Sequence, residues 1–541
     1  EDLDNAIKNA VYDGAKTYQT EALLLAVTPI PANGTPAKVA NNTADPTKNG
    51  NWSVVSGAWL QDASVVSNIA NSVDIETVGD KLKFINRNKT TNTLGYKHIR
   101  SDFDFTAIPV DYDESIWEVR DFFDLGGATI TMPENVTLFF NGGRFANGTI
   151  TGDNTKIKSG IVKIFDTDIT LTGFNVDVSY PEWFGAVNDG VTTYTLAIQK
   201  TIDSFNKVHF NGGECVTEAL TVPANRYLSF AKDSLITILG TDFPGTIQAR
   251  SCFYITGDNV TIDGATIEGV ITWYPRTDIL ADEPAYSNYR DNRSNGRIGV
   301  VADARSNVKV INCSISKVVF GVLFRNCNGI HINNTKSLYT MADGYAIYQG
   351  TKNVLIENCL GEYNNDDVYA VYSFNTGGAT QSENITVKNC TARFGAFRGL
   401  LNHGGKNVAF DNNLIDRCNF PIHAQGNDDP SLYPDVLDTY KTTIKNNKIN
   451  FDRVTSYPDP LPLISISKSF DVEVKGNEIE YVGSAIPTVA TVGLTLTATV
   501  ISFLNREVCV SVRESENVKI FKNPISVLGI FMSNSNNIDI S

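Results

Sequence analysis

The chain has no run of 18 or more apolar residues, which excludes a membrane-spanning helix. It is short of basic residues: 45 Lys and Arg against 60 Asp and Glu leave a net charge of −15, which argues against a nucleic-acid partner or an anionic membrane. It has no CxxC pair and no Cys/His cluster at zinc spacing, so the eight cysteines do not read as a metal site or a disulfide framework. No signal-peptide pattern follows Glu1, so the chain reads as a fragment or processed product, and its start gives no localisation. No metal and no cofactor is expected from these residues.

What the chain has is repetition. At 541 residues it is too long for one ordinary globular core, so several domains or an elongated repeat are expected. A phrase of Asn, aliphatic, any residue, aliphatic, any residue, Asn or Gly returns with small departures. It starts at Asn259, Asn307, Gly329, Asn353, Asn384, Asn407, Asp471 and Asn517, with a weaker copy at Thr442 to Asn447. The closest copies lie 22 (307 to 329), 24 (329 to 353) and 23 (384 to 407) residues apart. That period predicts a solenoid. Alternating aliphatics predict strands and the trailing Asn or Gly a turn, so the fold class is all-β, a parallel β-helix. Cys313, Cys359 and Cys390 share one repeat position, which predicts a ladder of buried thiols pointing inward.

Residues 1 to about 30 read as helical. The next stretch, to residue 72, carries Trp52 and Trp59 in turn-rich β text, so 1–72 is expected to be a small module for attachment or assembly. Residues 73–130 are a connecting region without a clear pattern, and 131–541 the β-helix. Within TTYTLAIQKTIDSF, Leu196, Ile198, Ile202 and Phe205 define the apolar face of a helix that Thr193 or Thr195 would cap. Such a helix would cover the open end of the stack.

The phrase WFGAVNDGVTTYTLAIQ, from Trp183, resembles the FGAxGDGxTDDTxAIQ motif of pectate-lyase-like right-handed β-helix proteins, a group that includes polygalacturonases and bacteriophage tailspike depolymerases. It departs at Asn188, where Gly is usual, and at Thr193 and Tyr194, where two Asp are usual. The segment from Ala26 to Asp62 is similar to N-terminal modules of phage tail proteins, and the text from Asn141 to Ile157 to chains from phages or hosts of the Bacteroidota. The combined resemblance implies a tailspike. Such a protein is a homotrimeric virion component held by other phage tail proteins, which binds and depolymerises a bacterial surface polysaccharide.

Equal offsets from the repeat starts 329, 353, 384 and 407 stack in a solenoid. Offset 14 gives Asp343, Asp367, Arg398 and Pro421. Offset 16 gives Tyr345, Tyr369, Leu400 and His423, and offset 19 gives Tyr348, Tyr372, His403 and Gly426, where the fourth rung stops matching. Neighbouring rungs lie about 4.8 Å apart, so Asp343 and Asp367 would reach one glycosidic bond. Paired carboxylates suit glycoside hydrolysis, one protonating the leaving oxygen and the other activating water or attacking carbon. The same residues resemble polygalacturonase motifs. Asp343 stands at the Asp of the Asn-Thr-Asp motif, and Asp366 with Asp367 at the Asp-Asp pair. The third motif, Gly-His-Gly, has no match, with Arg398 near its histidine and His403 farther on, and the Arg-Ile-Lys motif is absent.

The expected catalytic residues are therefore Asp343, Asp366 and Asp367, with Arg398, Tyr348, Tyr372 and His403 binding substrate. Aspartates and asparagines are also ordinary turn residues, and a structural role for these positions stays open. A second candidate is the insertion TWYPRTDILADEPAYSNYRDNRSNGR, whose Trp273 and Tyr274 suit sugar faces. A polysaccharide lyase, which would need a Lys, Arg or Tyr base, and a glycan-binding spike without catalysis are the alternatives.

Overall fold

The computed structural model describes residues 96–240, 246–271, 296–374, 380–426, 437–451 and 463–481, short stretches between 510 and 540, and the backbone of six strands between 16 and 86. The chain divides into two compact units, Glu1–Tyr96 and Lys97–Ser541.

In the first unit Lys16–Tyr18 pairs parallel with Pro36–Val39. That strand continues antiparallel through Gly50–Val55 to Ala58–Gln61, and Val73–Val78 pairs antiparallel with Lys81–Asn86. The text around Trp52 and Trp59 is thus β-structure. The helical expectation for residues 1–30 fails where it can be checked: Lys16–Tyr18 is a strand. Lys16 is followed by Thr17 and Tyr18, two residues that favour strands over helices.

The second unit is a right-handed parallel β-helix. Three long parallel sheets run along it, of 13, 11 and 11 strands among the described residues. One rung shows the order. Asn328–Asn333 lies in the first sheet, Lys336–Leu338 in the second and Tyr345–Tyr348 in the third, before Lys352–Glu357 returns to the first. The repeated phrase is the first sheet's strand. Its two aliphatics stack rung on rung, as in Val308, Ile330, Val354, Ile385 and Val408, all 3% exposed or less. Its bounding asparagines explain themselves. Asn353, Asn384 and Asn407 have φ of 55°, 59° and 55°, left-handed values that Asn tolerates better than most residues. Their amides also form a ladder, Asn384 Nδ2 donating to Asn353 Oδ1 and Asn407 Nδ2 to Asn384 Oδ1 at 3.1 and 2.7 Å.

The inward cysteine ladder is present. Cys313, Cys359 and Cys390 are 1–3% exposed and share a column with Thr335, Asn413 and Asn447, whose side chains accept backbone N–H groups of the rung before. The seven described cysteines are free and buried.

The helix is Thr195–Ser204, packed between Ile169–Phe174 and the opening strands of the sheets, and it covers their N-terminal start. Two details differ from expectation. Its N-cap is Tyr194, which makes no side-chain cap bond, and Thr195 Oγ1 instead accepts the N–H of Glu218. Leu196 is 59% exposed; Ala197, Ile198, Thr201 and Ile202 form the buried stripe. Parallel pairing also exists ahead of this helix: Ile116–Val119, within the 73–130 stretch that shows no pattern in the sequence, pairs with Thr137–Phe140. No helix among the described residues is long and apolar enough to cross a membrane.

Candidate active site

The outward side of the third sheet carries the site. Side chains alternate in these strands, so Tyr345 and Tyr369 point inward while Tyr348 and Tyr372 point outward. The inward pair is packing: the rings stack at 4.6 Å and 7°, and both hydroxyls donate to backbone carbonyls. The outward pair meets at 5.0 Å but 78°, edge to face, so it is no stacked platform. Each outward hydroxyl serves an aspartate of its own rung. Tyr348 donates to Asp343 Oδ2 at 2.5 Å and Tyr372 to Asp367 Oδ2 at 2.7 Å.

The other carboxylate oxygens bind the rungs together. Asp343 Oδ1 accepts the N–H of Asp367, and Asp367 Oδ1 the N–H of Arg398, each at 3.2 Å. One five-residue spacing, Asp343 to Tyr348 and Asp367 to Tyr372, therefore builds the same arrangement twice. The third rung repeats the spacing with Arg398 and His403. The Arg398 guanidinium lies 3.3 and 3.4 Å from the Asp367 oxygens and 4.0 Å from the centre of the Phe397 ring.

The offsets hold through three rungs and slip at the fourth. Leu400 pairs with Ile422, not His423, and His403 pairs with Gln425. The cause is one missing corner residue. From the second sheet to the third the chain runs seven residues in Leu338 to Tyr345, Glu362 to Tyr369 and Arg393 to Leu400, but six in Asp416 to Ile422. Arg398 thus has Phe420 beside it, not Pro421. Gln425, which the offset count passed over, lies 3.5 Å from the Arg398 guanidinium. Counting back from the strand rather than forward from the repeat start finds it.

Asp343 and Asp367 are 1% and 0% exposed, whereas Asp366 is half-buried. One oxygen from each of the three lies within 4.8 Å of the others. Such a cluster could hold a hard divalent cation. The donors fit one poorly: Asp343 and Asp367 are committed to tyrosine hydroxyls and backbone N–H groups, and Arg398 already supplies Asp367 with positive charge. Burial, with the neighbouring charge of Asp366, pushes the Asp367 carboxyl up to about 6 against the pull of Arg398 and Tyr372. Burial and the Asp367 charge hold the Tyr372 phenol well above its ordinary value. Burial opposes the charge on Arg398, but Asp367 outweighs it and the guanidinium is held more firmly protonated. Burial and Arg398 push His423 well below the usual histidine range, so it is neutral at pH 7. His403 is 3% exposed, with its ring 5.3 Å from Tyr372.

The structure therefore gathers Asp343, Asp366, Asp367, Tyr348, Tyr372, Arg398 and His403 in one place. Trp273 and Tyr274 lie outside the described residues.

A family model agrees on the fold. Residues 247–415 match a family model described as a right-handed beta helix region. No curated protein sequence matches the chain. Among solved structures, a surface adhesin of Streptococcus pneumoniae is 14% identical over 67% of this chain and 91% of its own, with a TM-score of 0.45. A family 28 exopolygalacturonase of Yersinia enterocolitica is 13% identical over 68% and 80%, with a TM-score of 0.46. A protein of Geobacillus virus E2 is 15% identical over 57% and 58%, with a TM-score of 0.39. These likenesses are of backbone course; the chemistry rests on this chain's own side chains.

Proposed function

We propose that this protein hydrolyses a bacterial surface polysaccharide at the cluster of Asp343, Asp366 and Asp367. The observation that carries the reading is a carboxyl held near 6 by burial within a group of three aspartates whose oxygens lie within 4.8 Å. A carboxyl that keeps its proton near neutral pH is suited to protonate a leaving glycosidic oxygen, and an ionised partner to activate water. Asp367 has the first property. Asp366, the half-exposed member, meets an incoming glycan first. Arg398 suits the carboxylate of an acidic sugar.

Elimination fits less well. A lyase needs a base at the sugar, and two of the candidates are poor ones: the Tyr372 phenol is held protonated, and Arg398 is held charged. A glycan-binding spike without catalysis is the second reading. The observation in its favour is that Asp343 and Asp367 are both buried and both spend their oxygens on holding rungs together.

The wider role rests on the WFGAVNDG motif taken together with the likeness of the segment from Ala26 to Asp62 to N-terminal modules of phage tail proteins. We place the chain in a homotrimeric phage tailspike acting at the host cell surface, with the 1–72 region serving attachment. Light scattering tests the trimer, and a monomer at micromolar concentration contradicts it. Incubation with capsular polysaccharides tests the chemistry. Shortened chains with new reducing ends support hydrolysis, binding without shortening supports the spike, and an unsaturated product absorbing in the near ultraviolet supports the lyase.

A further inference from the structure

One corner of the solenoid breaks a rule that the others keep. The corners on either side of the first sheet take left-handed φ, and the described residues there are mostly asparagines, such as Asn312, Asn334, Asn358, Asn389 and Asn412 at 49–57°. The corner leaving the second sheet is also left-handed, but it reads Lys317, Tyr339, Tyr363, Phe394 and Arg417, at 51–55°. Among the described residues no other aromatic has a positive φ. Bulky side chains avoid this conformation, so their presence here needs a reason.

The turn itself does not supply one. Lys317 and Arg417 hold the same conformation without rings. Nor is burial the reason, since Tyr339 is 37% exposed and Tyr363 and Phe394 are only half-buried. The rings run in series: Tyr339 to Tyr363 at 5.1 Å and 5°, Tyr363 to Phe394 at 5.0 Å and 15°, with the Arg417 guanidinium 4.3 Å from Phe394. Nearly parallel rings at that centroid distance are offset, so each overhangs the next and leaves part of its face open. The three rings occupy the three rungs that hold the site. Tyr339, Tyr363 and Phe394 stand four residues before Asp343, Asp367 and Arg398, at most about 14 Å of chain.

We propose that Tyr339, Tyr363 and Phe394 form a second contact strip for the polysaccharide, gripping a non-reacting segment while another segment occupies the carboxylates. The inference rests on the reading of that site as polysaccharide-active. Overhanging rings offer apolar surface to the C–H faces of sugars. The strip advances one ring per rung, about 4.8 Å, close to the advance of an extended glycan per sugar. Its two ends are basic but tempered: Lys317 pairs with Glu268 at 2.5 Å and Arg417 with Asp416 at 2.9 Å. The occupant is therefore held by its sugar rings more than by its charges.

The test compares wild type with the double variant Tyr339→Ala, Tyr363→Ala, after circular dichroism and thermal unfolding show that both are folded. The probes are polygalacturonate, alginate and purified capsular polysaccharides, with binding read by affinity electrophoresis and cutting by reducing-end release. On the polymer that wild type cuts best, KM should rise about tenfold, which is about 1.4 kcal/mol of binding, with kcat unchanged. On short oligosaccharides from the same polymer neither constant should change. An unchanged KM on polymer overturns the strip and leaves the hydrolase standing. An equal loss on polymer and oligosaccharide also overturns it, because the rings would then act only by shaping the corner. Milder variants, Tyr339→Leu and Tyr363→Leu, take the double variant's place if it does not fold. A wild type that binds polymer without cutting it rejects the hydrolase reading alone, and affinity electrophoresis of the variant then decides the strip. A wild type that neither binds nor cuts any of the polymers counts against both readings.

Discussion

Replacing Asp367 with Asn should make the protein inactive and, at neutral pH, more stable. The amide keeps the shape: its oxygen can still accept the N–H of Arg398, and the Tyr372 hydroxyl can turn to accept from its nitrogen. What disappears is the charge. The carboxyl is raised from 3.8 to about 6, so the folded state holds its proton more tightly than the unfolded chain does. That stability is fully present below about pH 3.8 and is lost as pH rises through about 6. The difference of about two pH units, at about 1.4 kcal/mol each, means that ionised Asp367 costs the fold about 3 kcal/mol. The variant escapes that cost. Urea unfolding followed by tryptophan fluorescence should give equal stabilities near about pH 4, and a variant more stable by up to about 3 kcal/mol near about pH 7.5. Reducing-end release should fall by about 10² to 10⁴. A variant no more stable at neutral than at acid pH, relative to wild type, would refute the claim that burial dominates at this carboxyl. Full activity would refute its role as the acid.

Other perturbations are equally direct. Arg398→Gln removes the cation that pulls the Asp367 carboxyl down, so the basic limb of the pH–rate profile should move to higher pH and KM for an acidic glycan should rise; an unmoved limb contradicts the coupling. Gly361→Ala places a Cβ 2.0 Å from Val368 Cγ1, next to Asp367, and should destabilise by about 1–3 kcal/mol through overpacking, read by the same urea titration. Burial pushes the thiols of Cys313 and Cys418 up to about 12, and the seven described cysteines are all buried, so an aromatic disulfide reagent should leave those seven untouched in the native protein and modify them all in urea.

The fold was legible because the first sheet's strand is written almost identically in each rung. Its aliphatics must point inward and its bounding asparagines must turn left-handed, so composition and period leave few alternatives. The column of side chains at the candidate site was legible for a related reason: Asp343, Asp367 and Arg398 follow corners of equal length, so equal offsets stack them. Where a corner lost a residue, before Ile422, the same arithmetic misplaced His423 and missed Gln425. Periodicity puts Leu196 on the buried face because it registers apolar residues, not which side of a ten-residue helix the neighbouring strands occupy. The difference between Asp366 and Asp367 was beyond reach altogether. They are adjacent and chemically identical, and only the fold makes one half-exposed and the other fully buried with its pKa raised.

The measurement that bears most directly on the central claim is mass spectrometry of the products that wild type and the variants Asp343→Asn, Asp366→Asn and Asp367→Asn release from a polysaccharide that the wild type binds. Hydrolysis at the aspartate cluster predicts saturated oligosaccharides, each carrying one added water, from the wild type, and little or none from variants that still bind the polymer. Unsaturated products, or undiminished release by all three variants, would contradict it.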